Sequence, residues 1–87
     1  PLVITRGEGV RVFDDSGNGY IEGMAGLWCT SLGFGEERLV EAAVAQMRKL
    51  PFYHGFGGKV PDIGIELAER LINLAPCPMS KVVFAKS

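Results

Sequence analysis

Eighty-seven residues allow one domain at most, and a domain of that size buries only about 60–65% of the surface its unfolded chain exposes. A hydrophobic share of 47% with a net charge of −1 describes an ordinary globular composition, without the basic footprint that a nucleic acid or an anionic membrane demands. No apolar run approaches the ~18 residues of a membrane span and no charged leader precedes an apolar stretch, so the expectation is a cytoplasmic protein with neither nucleic acid nor membrane as partner.

The first third reads as three short strands, over residues 3–6, 10–14 and 20–24, where β-branched and aromatic residues collect. Between them lie "GEG" and "DSGNG", which supply the positive-φ positions of tight turns and make the three strands a meander. Next comes "AGLWCTSLGFG", residues 25–35, which fits neither a helix nor a clean strand. Its tryptophan, the only one in the chain, is either packed beneath the loop or held at the wall of a pocket.

From Glu36 the period changes to that of an amphipathic helix, with Leu39, Ala43, Met47 and Leu50 on one stripe. Glu36 and Glu37 suit its positive end, Arg48 and Lys49 its negative end, and Pro51 stops it. A second helix is expected over residues 61–75, with Pro61 at the first helical position and Ile63, Leu67, Leu71 and Leu74 repeating the spacing. "PCP" ends it, and "KVVFA", residues 81–85, reads as a strand apolar on both faces. Such a strand belongs inside a parallel sheet, which this chain has no further strands to build. The chain is therefore expected to be the front piece of a larger α/β protein, and its start at Pro1 rather than Met leads to the separate expectation that something has been removed ahead of it.

Local motifs carry little chemistry. "GFGGK" lacks the first glycine and the Ser or Thr of a phosphate loop, and "GNGYIE" has Glu22 where a dinucleotide fingerprint has its third glycine. Cys29 and Cys77 have neither ligand spacing nor a framework of further cysteines, which leaves them as reduced thiols and leaves no metal site. His54, the only histidine, has no nearby carboxylate or nucleophile and reads as a hydrogen-bonded structural residue. Asp14 with Asp15, and Glu36 with Glu37, are solvated neighbours whose side chains point apart. Lys49 and Lys59 look solvated, unlike a lysine that must give up its proton near neutrality.

Three blocks in order, "GYIEGMAGLWCTSLGFG", "EAAVAQMRKLPFYHGF" and "PMSKVVFAKS", closely resemble the N-terminal portion of class III pyridoxal-phosphate aminotransferases, in particular the pyruvate-dependent omega-transaminases. The resemblance implies an α/β, fold-type I enzyme that works as a homodimer on a small-molecule amine and pyruvate. Residues 1–35 would be the meander and active-site loop of the small domain, and residues 36–87 the helical segment leading into the large cofactor-binding domain. It implies a substrate pocket lined by Leu27, Trp28 and Cys29, with Phe56 a second pocket aromatic supplied across the subunit boundary. Ser87 matches the first serine of the turn that binds the cofactor phosphate. Lys86 departs from the asparagine common at its position and is not expected to be the aldimine lysine, which this sequence lacks. On this reading the 87 residues alone are inactive. A stand-alone association module derived from the same segment is the rival reading, and enzymes acting on ornithine-like or γ-amino acids stay open as a further alternative, with Trp28 and Phe56 arguing for plain amines over substrates that need a cationic clamp.

Overall fold

The computed structural model describes residues 1–85, which divide into two compact units with the boundary between Lys49 and Leu50. Each is taken by itself.

The first unit opens with an antiparallel sheet in the order β1 (Ile4–Glu8), β2 (Arg11–Asp14) and β3 (Gly19–Ile21). The meander expected from the turn signals is present, with each strand shifted by a residue or more from its expected place. Register slips between Ile4 and Arg6, so Thr5 is the extra residue of a bulge, and its hydroxyl donates to the carbonyls of Phe13 and Asp14 at 3.3 Å each. Beside it the Arg6 guanidinium lies 3.8 Å from the Phe13 ring centre. Asp14 at the end of β2 is the latch of the second hairpin. Its carboxylate accepts from the Ser16 and Asn18 N–H groups, the Asn18 side-chain amide and the Tyr20 hydroxyl, which last stands 2.8 Å away. Asp14, expected to be a solvated charge like Asp15, is therefore not one: four donors on its carboxylate take the place of water and leave it only 6% exposed.

Met24, expected at the end of the third strand, instead precedes a single helical turn, α1 (Ala25–Trp28). The chain then returns to the sheet through paired hydrogen bonds between Gly9 and Phe34, N–H to carbonyl in both directions at 2.9 and 2.8 Å. Gly33 makes this return feasible. Its φ is +85°, and a Cβ there would stand 2.7 Å from the Gly9 carbonyl oxygen. Helix α2 (Glu37–Lys49) follows, with Glu37 in its first turn and Arg48 and Lys49 in its last, as the charge pattern led one to expect. Glu36 stays just outside, its carboxylate taking the Arg38 guanidinium at 2.8 Å.

The second unit contains helix α3 (Asp62–Leu74). Pro61 is its N-cap, with an extended ψ of 141°, rather than its first helical residue. An ion pair between Glu66 and Arg70, one turn apart at 3.1 Å, supports its outer face. The strand expected over residues 81–85 does not form. None of the described residues pairs with it, and without a ladder its backbone groups gain nothing from a strand conformation, so Val83 stands 90% exposed. Burial is correspondingly sparse: among the described residues, Val12 and Asp14 alone are buried, and the apolar stripes of α2 and α3 are open.

Candidate active site

Four consecutive residues of α1 have positive φ: Ala25 at 50°, Gly26 at 63°, Leu27 at 70° and Trp28 at 66°. The turn is left-handed. For three residues that carry a Cβ this costs about 1–2 kcal/mol each. What holds it is local hydrogen bonding. The Trp28 N–H donates to Met24 at 2.8 Å, Cys29 and Thr30 both donate to the Ala25 carbonyl, and the Cys29 thiol donates to the Gly26 carbonyl at 2.9 Å. Met24 is itself held by its N–H on the Glu22 carboxylate.

This turn answers the question that the lone tryptophan raises. The Trp28 side chain on this left-handed turn is 85% exposed. A tryptophan packed under its own loop is excluded. Leu27 is exposed beside it, and so is Cys29, whose thiol also donates to the Gly26 carbonyl within the turn. Behind the turn lies a cavity of about 340 Å³ against Val10, Glu22, Ala25, Thr30, Leu32 and Phe34. None of Leu27, Trp28 or Cys29 lines it. The Thr30 hydroxyl oxygen, which no sequence motif marks, is buried there without a hydrogen-bond partner among the described residues.

Phe56 belongs to the second unit and stands on the loop before α3, 76% exposed. Its carbonyl accepts from the Lys59 N–H at 3.1 Å, and its N–H donates to Nδ1 of His54, also at 3.1 Å. It forms one wall of a groove of about 630 Å³ with Tyr53, Val60, Ile65, Ala68 and Phe84. His54 is hydrogen-bonded, as its lack of chemical partners suggested, and the bond goes to an expected site residue.

The described residues do not fit attachment of pyridoxal phosphate. Lys49, Lys59 and Lys81 are all exposed, without the burial that makes a lysine amine available as a nucleophile. Ser87, expected at the cofactor phosphate, and Lys86 lie outside the described residues.

The aminotransferase class-III family model matches residues 1–87. Among curated proteins the chain is 49% identical over 88 residues to a probable mitochondrial gamma-aminobutyrate transaminase 2 of Oryza sativa subsp. indica, covering 100% of this chain and 18% of that protein. It is 45% identical over 85 residues to a putrescine–pyruvate aminotransferase of Pseudomonas aeruginosa, covering 98% and 19%. The chain thus spans about a fifth of the length of the curated relatives it matches. Among solved structures, an omega transaminase of Pseudomonas jessenii in complex with PMP superposes with a TM-score of 0.88 at 59% identity, over 93% of this chain and 18% of that one. A thermostable omega transaminase substituted at a tryptophan, a phenylalanine and an arginine, and engineered for asymmetric synthesis of enantiopure bulky amines, superposes equally well at 56% identity and the same coverage. This chain belongs to the class-III aminotransferases, whose cofactor is pyridoxal phosphate.

Proposed function

We propose that the whole protein carrying these residues moves an amino group from an amine, polyamine or omega-amino acid to pyruvate, and that this chain supplies apolar walls of the amine pocket. Pyridoxal phosphate furnishes the electron sink for such a transfer. The contribution of the described residues is to bound and orient the amine: Leu27 and Trp28 present bare apolar surface from a turn held by its own hydrogen bonds, and Phe56 does so from its own loop.

One observation carries this reading. The tryptophan and phenylalanine replaced in the engineered transaminase are 28 positions apart, the separation of Trp28 and Phe56 here. Substitutions made there for bulky amines support a wall that limits amine size. The putrescine–pyruvate relative supports pyruvate as acceptor, and the apolar character of the walls favours plain amines over carboxylate-bearing ones. The assignment further proposes a cytoplasmic homodimer with Phe56 reaching across the subunit boundary and Ser87 at the cofactor phosphate. It places residues 1–35 in the small domain and 36–87 on the way into the large one.

Trp28→Gly in the whole protein tests the wall. The ratio of kcat/KM for a bulky aromatic amine to that for a short linear amine is expected to rise by about tenfold or more, since each methylene in an apolar pocket is worth at least that much discrimination. An unchanged ratio would remove Trp28 from the pocket.

A further inference from the structure

The loop before α3 uses one ring to place another. Phe56 lies between Gly55 and the Gly57–Gly58 pair, whose φ values are 62° and 75°, so its chain neighbours restrain it little. Two hydrogen bonds do so instead. Its carbonyl closes a turn onto the Lys59 N–H, and its own N–H is held by Nδ1 of His54, both at 3.1 Å. The His54 ring stacks with the Phe56 ring, centroids 5.5 Å apart and planes inclined by 23°, and with the Tyr53 ring at 4.6 Å and 19°. Accepting at Nδ1 requires a neutral imidazole with its proton on Nε2.

We propose that His54 is a positioning residue for the amine pocket: its Nδ1 and its ring face set where Phe56 stands, and through Phe56 they decide which amines fit. The inference rests on the reading of Phe56 as a pocket wall. It adds a residue that itself touches no substrate. A side-chain acceptor for the N–H two residues on is the arrangement that asparagine and aspartate make in an Asx turn, so an asparagine at this position can restore the bond to Phe56. Leucine fills similar space and restores nothing.

The test uses the whole protein, loaded with cofactor and saturated with pyruvate, and benzylamine and propylamine as probes. His54→Leu is expected to raise KM for benzylamine by about threefold to tenfold, the factor that one net hydrogen bond is worth, with kcat and the propylamine constants unaltered. His54→Asn is expected to recover the greater part of that loss. His54→Ala replaces the leucine variant should the latter not accumulate. Phe56→Ala separates the two layers of argument. If it changes the benzylamine to propylamine ratio while His54→Leu does not, the positioning role is wrong and the pocket wall stands. If it leaves the ratio alone, both fall. A loss in His54→Leu that is equal for the two amines, or one that asparagine does not relieve, also overturns the proposal.

Discussion

Asp14 shows how much one carboxylate can organise. The Tyr20 hydroxyl chiefly holds its pKa below the ordinary 3.8, burial opposes, and the Asn18 side chain and the N–H groups of Asn18 and Ser16 add to the lowering. The same bond pushes Tyr20 above its usual 10.0. A carboxyl whose folded pKa is depressed contributes stability that is complete above the unfolded value and is lost as pH falls through the folded one. Asp14→Asn is therefore expected to lower the thermal midpoint of the whole protein at neutral pH. The gap to wild type should begin to close as pH drops past the ordinary carboxylate value and vanish below the folded one. A gap of constant size across an acid series followed by scanning fluorimetry would assign the loss to shape rather than charge. None of this was visible in "DSGNG", which announces a turn but not that the aspartate before it is the acceptor for the whole hairpin. By contrast, His54 left a trace: an acceptor two residues before a glycine-flanked aromatic.

Helices α2 and α3 were legible because a period of 3.6 and a charge gradient are properties of the segment alone, and Pro51 and "PCP" punctuate it. The left-handed turn was not. Local preference assigns positive φ to glycine, asparagine and aspartate, yet here Ala25, Leu27 and Trp28 adopt it together. Hydrogen bonds to Met24 and Ala25, with the Cys29 thiol on Gly26, override the preference, and sequence periodicity has no sign for that. A distinct outcome follows at Leu27. Glycine there relieves about 1–2 kcal/mol of left-handed strain but gives back about 0.5–1 kcal/mol in backbone entropy, so Leu27→Gly should leave stability nearly unchanged. Leu27→Val puts a β-branched side chain at a φ of 70°, and should cost about 2 kcal/mol or more. Urea unfolding of both variants in the whole protein checks the pair. Equal losses would mean that the Leu27 side chain, not its backbone, is what the turn depends on.

At the scale of the chain, stability has to come from burial, and these residues bury little. Val12 and Asp14 are the buried pair among those described, Leu39 and Met47 on the α2 stripe and Ile63, Leu67 and Leu71 on the α3 stripe are exposed, and residues 81–85 have no ladder. Each such side chain gains roughly 1.5–3 kcal/mol only when something covers it. The apolar run at 82–84 was expected to be an interior strand, and no strand forms there: no described residue pairs with it, and although Val82 is half-buried and Phe84 lines the groove beside α3, Val83 stays 90% exposed. The 87 residues expressed alone should accordingly lack a cooperative transition. A two-state domain of this length would absorb about 60 kcal/mol at its midpoint. Calorimetry of the isolated chain is expected to show no such peak, with strong binding of an apolar dye, and borohydride treatment with pyridoxal phosphate should add no stoichiometric mass to any one lysine. A sharp endotherm near that size without dye binding would show that the stripes are covered within the chain itself, and the argument that they await further polypeptide would have to be abandoned.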